Sequence, residues 1–144
     1  MADLNAALLM LISARHAEER IYEVVRATGH DDMSPAMARI GAQIAEEGSR
    51  VTELAARARI TKQSASVLVE QLERAGYVFR VRDPADARAK LVILAERGRA
   101  VQRVARRAER AVEREWTMHL GAARMTALRA ALAELRTITD PYLD

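Results

Sequence analysis

Apolar and polar positions change their period several times along this chain. From Leu4 to about Thr28, the residues Leu4, Leu8, Leu11, Ile12, Tyr22 and Val25 form a helical stripe interrupted by charge, and Gly29-His30-Asp31-Asp32 breaks it. Ser34-Pro35 is a helix start, an N-cap followed by proline at the first helical position. That second helix carries Met37, Ile40 and Ile44 and ends before Gly48. Thr52 caps a short helix with Glu53, Leu54, Ala55 and Ala58 at helical spacing, and Arg59-Ile60 is a turn. Thr61 caps a further helix to about Ala75, with Ala65, Leu68, Val69 and Leu72 inward, and Gly76 supplies the positive φ that a helix C-terminus often needs. Tyr77 to Arg82 alternates apolar and polar as a half-buried strand does, Asp83-Pro84-Ala85-Asp86 turns, and Lys90 to Leu94 returns as a β-branched strand. A long helix follows from Glu96 to about Leu120, with Val101, Val104, Ala108, Val112 and Trp116 on one side. After Gly121, Met125, Leu128, Leu132, Leu135 and Ile138 line a last helix that Pro141 ends.

This order predicts a mainly α fold with a small β-hairpin wing, a winged helix-turn-helix with a helical dimerisation region. The expected organisation is one intertwined protomer: an N-terminal dimerisation helix over 1–32, the winged helix-turn-helix over 33–95 and C-terminal dimerisation helices over 96–144. In such a fold the second helix of the pair is shaped to enter a DNA major groove. The end helices carry apolar stripes that must be buried, and the simplest cover is the same surface of a second copy. Leu8, Leu11, Ile12, Val112, Leu128, Leu132 and Leu135 are the expected homodimer interface.

Charge is placed unevenly, and that favours double-stranded DNA as the partner. Arg50 to Arg110 holds 15 Lys/Arg against 7 Asp/Glu, a net +8 in a chain of total +3, so the flanks net −5. A basic centre between acidic ends is the footprint of a phosphate-binding surface. Thr61, Lys62, Gln63, Ser64, Ser66, Val67 and Arg74 are the expected DNA-facing residues of the second helix. Gln63, Ser64 and Ser66 are small hydrogen-bonding side chains where bulk would block approach to base edges, and Val67 suits a thymine methyl. The hairpin adds Arg80, Arg82, Asp86, Arg88 and Lys90, with Asp86 holding the Arg88 guanidinium at the wing tip.

At these residues the chain resembles the MarR family of bacterial transcription regulators. The resemblance is carried by Glu53-Leu54-Ala55, by Leu72-Glu73-Arg74-Ala75-Gly76-Tyr77-Val78, by the wing sequence Asp83-Pro84-Ala85-Asp86-Ala87-Arg88, and by Leu94-Ala95-Glu96-Arg97-Gly98. With the flanking helices it covers nearly the whole chain. Two positions depart from the family pattern. Val67 stands where many members carry a basic residue. Ala95 replaces the usual Thr and removes a side-chain cap worth about 1 kcal/mol. The resemblance implies a repressor that binds a pseudo-palindromic operator as a homodimer. It also implies a small aromatic or phenolic effector between the dimerisation helices and the DNA-binding lobe, for which Arg15, His16, Met37 and Trp116 are the candidate contacts. The competing class is a winged-helix module that docks proteins and makes no sequence-specific DNA contact.

Composition narrows the remaining possibilities. Of 144 residues half are hydrophobic, but only one Trp, one Phe and three Tyr are aromatic, so the core is built from Ala, Leu, Val and Ile. The absence of cysteine excludes a disulfide scaffold, a thiolate zinc site and a cysteine redox switch. The apolar run Ala6–Ile12 is too short to span a membrane and has no basic flank before it, so no membrane partner and a cytoplasmic location are expected. Arg15-His16-Ala17-Glu18-Glu19 and His30-Asp31-Asp32 each begin a metal site without completing one, and His119 beside Trp116 reads as a dimer-core or helix-end residue rather than a ligand. No catalytic triad, phosphate-cradling loop or nucleotide fingerprint is visible, so neither an enzyme nor a cofactor is expected.

Overall fold

The computed structural model describes residues 3–143. Six helices and one hairpin follow in the order α1 (Ala6–Ala27), α2 (Pro35–Gly41), α3 (Val51–Ala58), α4 (Lys62–Arg74), β1 (Val78–Asp83), β2 (Asp86–Leu94), α5 (Glu96–Leu120) and α6 (Ala122–Thr139). The mainly α, winged helix-turn-helix architecture expected from the sequence is the one observed. No helix of the described residues is long and apolar enough to cross a membrane.

Local chemistry sets most boundaries. Asn5 caps α1 by accepting the Leu8 N–H at 2.9 Å, and Ser34 caps α2 by accepting the Met37 N–H at 3.1 Å, with Pro35 at the first helical position. Helix α2 is shorter than the sequence predicts. It ends at Gly41, and two tight i→i+3 bonds, Gln43 N–H to Ile40 and Ile44 N–H to Gly41, deliver Ile44 to the core from a turn. Thr52 does not cap α3. The N-cap is Arg50, whose N–H donates to the Glu53 carboxylate at 3.2 Å.

The core is assembled from both ends of the chain as well as its centre. Val25 of α1, Met33, Met37 and Ile40 of the α2 region, Leu54 of α3, Ala65, Val69 and Leu72 of α4, Tyr77, Val78 and Val92 of the wing and Val104 of α5 form one buried cluster. Each fully buried branched side chain here stabilises the fold by about 1.5–3 kcal/mol. Helix α1 packs along α5, and Arg20 joins Glu115 through two hydrogen bonds of 2.8 Å.

The hairpin is antiparallel and pairs Val78 with Leu94, Phe79 with Ile93, Arg80 with Val92, Val81 with Leu91 and Arg82 with Lys90. Two features differ from the sequence expectation. The turn is only Pro84-Ala85, and β2 begins at Asp86 rather than at Lys90. The alternation also runs in the opposite phase: Phe79 and Val81 are 45% and 38% exposed, while Val78 and Val92 are buried. Tyr77 explains the inversion. It precedes β1, buries its ring at the α4–β1 junction, and leaves Val78 to begin the inward face. Ser49 pairs with Val92 through bonds of 3.1 and 2.8 Å, adding a short third edge to the ribbon. Gly48 makes this approach possible, since a Cβ there would lie 2.5 Å from Ile93 Cδ1.

Of the residues expected between two copies, Leu8, Leu11, Ile12, Leu128, Leu132 and Leu135 are exposed on the protomer. Val112 is different. It is buried within the protomer itself and is not a surface residue.

Candidate nucleic-acid interface

Helix α4 is held from beneath and open above. Ala65, Val69 and Leu72 are fully buried, which fixes the helix on the core, and Thr61 caps it by accepting the Ser64 N–H at 3.1 Å. The Thr61 hydroxyl also donates to Ser64 Oγ at 2.9 Å, so both hydroxyls are drawn into the cap. Lys62, Gln63, Ser64, Val67, Glu70, Gln71 and Arg74 are exposed. Gln63, Val67, Glu70 and Arg74 fall four, three and four residues apart and so line one face. Ser66 is half-buried, at the edge of the packed side, and does not belong to the open face expected for it. Glu70 and Gln71 are exposed as well but absent from the expected contacts; an acid such as Glu70 adds no attraction for phosphate in a charge count.

The turn before α4 contains a strained residue. Arg59 adopts the left-handed conformation, φ 55° and ψ 43°, with its N–H donating to Ala56 and the Ile60 N–H donating to Ala55. This conformation costs a non-glycine residue about 1–2 kcal/mol, which the packing of α3 against α4 offsets.

The wing cations divide into two groups. Arg82 and Lys90 are exposed cross-strand neighbours, and Arg88 is exposed near the tip. None of these three, nor Arg74, has an ion-pair partner among the described residues. Arg80 is not free in this way. It is half-buried with Nε 3.5 Å from the Glu73 carboxylate, in the notch between α4 and the wing. Asp86 also differs from expectation. Its Oδ1 accepts the Arg88 backbone N–H at 3.0 Å, so it shapes the strand start rather than holding the guanidinium. The acid that holds an arginine is Asp83, whose Oδ2 accepts from Arg50 Nε at 2.7 Å and whose Oδ1 accepts the Ala85 N–H at 2.8 Å. No sequence pattern linked residues 33 positions apart.

A cleft of about 1010 Å³ lies between α1, α2 and α5. Its floor includes Tyr22, Val25, Met33, Met37 and Val101, and Arg15 and Arg106 contribute cationic side chains. Tyr22 is fixed by donating its hydroxyl to the Met33 carbonyl at 2.7 Å. Of the four candidate effector contacts, Arg15 and Met37 line this cleft; His16 and Trp116 do not. On α1 the cleft takes Ala14, Arg15 and Ala17 to Glu19, which leaves His16 pointing to another side of the helix.

The His30-Asp31-Asp32 loop is engaged in protein contacts. The Tyr77 hydroxyl donates to Asp32, and because its one proton is used there, His30 Nδ1 must carry the proton of its 3.2 Å contact with the Tyr77 oxygen. Arg97 donates to both Asp32 oxygens, at 2.9 and 3.1 Å. Arg97 and then Tyr77 hold the Asp32 carboxyl below the usual carboxylate range, and burial together with Asp32 pushes the Tyr77 hydroxyl up.

Residues 32–89 match the family model described as MarR family. Over this segment the chain is similar to the MarR family. The matched segment runs from Asp32 through α2, α3, α4 and β1 to Ala89 in β2, and so contains the open helix face and the wing tip. Solved structures agree over a longer stretch. A transcriptional regulator from Thermotoga maritima is 26% identical, with 93% of this chain and 92% of that one covered and a TM-score of 0.65. Wild-type MarR from E. coli in its apo form is 18% identical over 94% and 98% of the two chains, with a TM-score of 0.74. CouR from Rhodococcus jostii, bound to p-coumaroyl-CoA, is 20% identical over 97% and 95%, with a TM-score of 0.72. At 18% and 20% identity the last two likenesses concern the fold. No curated protein matches this chain.

Proposed function

We propose that this protein is a DNA-binding transcription regulator of the MarR family, a homodimeric repressor that leaves a pseudo-palindromic operator when a small aromatic or phenolic effector binds. One observation carries the DNA reading: the face of α4 bearing Gln63, Val67, Glu70 and Arg74 is exposed, while Arg82, Arg88 and Lys90 on the adjoining wing have no ion-pair partner among the described residues. A polar helix face suits a major groove, and cations beside it suit phosphates. Two such helices in a dimer would read half-sites about 34–36 Å apart.

The exposed Leu8, Leu11 and Ile12 of α1 and Leu128, Leu132 and Leu135 of α6 support the dimer, because six large apolar side chains on two terminal helices call for a partner surface. The cleft supports the effector. Its apolar floor suits an aromatic ring, and Arg15 and Arg106, free of ion-pair partners among the described residues, suit an anionic or phenolic oxygen. CouR, with the same fold, holds p-coumaroyl-CoA.

Selection of genomic fragments by the purified protein tests the reading. A regulator enriches one palindromic motif. A winged-helix module that docks proteins enriches no sequence.

A further inference from the structure

The C-terminal end of α4 is gripped by a residue from another element. Arg97, in the first turn of α5, donates through Nη1 to the Ala75 carbonyl at the end of α4, and the same guanidinium holds both oxygens of Asp32. Its carbon centre lies 4.2 Å from the centroid of the Tyr77 ring, which is 1% exposed. Tyr77 in turn donates its N–H to the Leu72 carbonyl of α4 and accepts the Ala95 N–H that starts α5, at 2.9 Å each. The two backbones touch here because residue 98 is glycine: a Cβ at Gly98 would lie 2.2 Å from the Tyr77 carbonyl oxygen. A cation at a helix C-terminus is also favoured by the helix dipole.

We propose that Arg97 is a positioning residue for DNA recognition, acting through Ala75 and Tyr77 to fix the angle of α4; the inference rests on the DNA-binding reading above. Its location separates it from direct readout. From Gln63 to Ala75 the helix rises about 18 Å, so Arg97 sits at the opposite end of α4 from the base-reading residues. That separation makes it a lever. A tilt of about 10° at the gripped end carries the Gln63 end by about 3 Å, close to the ~3.4 Å step between bases along a strand. Buried Ala65, Val69 and Leu72 set how deeply α4 sits on the core, but an apolar contact is non-directional and leaves tilt weakly fixed. The Arg97 guanidinium, with three acceptor oxygens and a stacked ring, is directional. It joins α4 to a 25-residue helix that continues to the terminal region, so the joint also sets α4 relative to the rest of the protomer.

The test uses full-length protein, the motif enriched by the wild type, and a random duplex of equal length, titrated at several salt concentrations. Arg97→Ala should lower affinity for the motif by about tenfold or more, leave random-duplex affinity within about twofold, and keep the wild-type slope of log affinity against log salt. Arg97→Lys should recover only part of the loss, because an ammonium cannot make the forked and stacked contacts together. Tyr77→Phe keeps the ring under the guanidinium and should fall between wild type and Arg97→Ala. It also preserves the test if Arg97→Ala does not fold. A slope lower by about one phosphate would make Arg97 a direct phosphate contact and overturn the proposal. Equal losses on motif and random duplex, or wild-type affinity in both Arg97→Lys and Tyr77→Phe, would overturn it as well. A wild type that enriches no motif would overturn the DNA-binding reading itself, and the inference with it.

Discussion

Arg50 and Asp83 lock the start of α3 to the base of the wing, with Arg50 Nε donating to Asp83 Oδ2 at 2.7 Å. The Ala85 N–H and then the Arg50 guanidinium hold the Asp83 carboxyl below the usual carboxylate range. A carboxyl with a lowered folded pKa stabilises the fold fully above its unfolded value, near 3.9, and that contribution disappears as pH falls through the lowered folded value. Asp83→Asn should therefore reduce Tm at pH 7, and the gap from wild type should begin to narrow only as the pH falls below about 3.9 and close only below the lowered folded value. A gap that stays constant across that range would mean that the carboxylate's charge is immaterial to the wing.

Gln63 is exposed in the first turn of α4, where base edges come within reach. A glutamine can bond bidentately to adenine. Gln63→Ala should cost about 1–3 kcal/mol on the preferred operator and relax one base position in a repeated motif selection. An equal loss on random duplex would assign Gln63 to the phosphate backbone instead.

The wing tip contains an acid that supports the chain and a base that is free to reach. Arg88→Ala should weaken operator binding and reduce the salt slope by about one phosphate's worth, ~0.9. At position 86 the useful comparison is between two variants. Asp86→Asn keeps an oxygen for the Arg88 N–H and removes a charge that repels phosphate, so it should bind at least as tightly as wild type. Asp86→Ala removes the acceptor too and should bind more weakly than Asp86→Asn. Identical affinities for the two would mean that the hydrogen bond contributes nothing to the shape of the tip.

Leu128, Leu132 and Leu135 project from α6 with about two-fifths of their surface open in the protomer. If a second copy covers them, Leu132→Asp places an unpaired carboxylate in that interface at a cost of several kcal/mol. Light scattering should then report monomer, or circular dichroism an unfolded chain. A dimer of unchanged Tm would put this stripe on the free surface.

Ala95 occupies the N-cap of α5 with extended backbone, φ −72° and ψ 172°, and makes no side-chain cap bond. Ala95→Thr should raise stability by about 1 kcal/mol without changing the operator motif, measured by denaturant unfolding. No gain would show that the first turn of α5 is already satisfied by its tertiary contacts.

Several elements were legible because their signals are local. Thr61 with Gly76 framed α4, Ser34-Pro35 opened α2, and Asp83-Pro84-Ala85-Asp86 placed the hairpin, since caps and turns act within a few residues. The same locality explains the misplacements. Strand phase in β1 depended on Tyr77 being drawn into contact with Asp32 and Arg97, residues 45 positions before it and 20 after it. The loss of Arg80 to Glu73 depended on how the wing folds back against α4. Ser66 moved from the open face to half-burial by its position on the helix circumference relative to a core that the periodicity alone does not locate.

The sequence by itself determined the order of helices and wing, the polar face of α4 and the cationic centre of the chain, because hydrophobic period, capping chemistry and formal charge are properties of neighbouring residues. Tertiary structure decided which of those charges remain available. Arg50, Arg80 and Arg97 count as three equal cations in the chain, yet Arg50 and Arg97 are hydrogen-bonded to acids distant in sequence and Arg80 stands half-buried 3.5 Å from Glu73 without a hydrogen bond, while Arg82, Arg88 and Lys90 are exposed with no ion-pair partner among the described residues. The physical reason is that a guanidinium is claimed by the nearest well-oriented carboxylate or carbonyl, and packing sets which one is nearest.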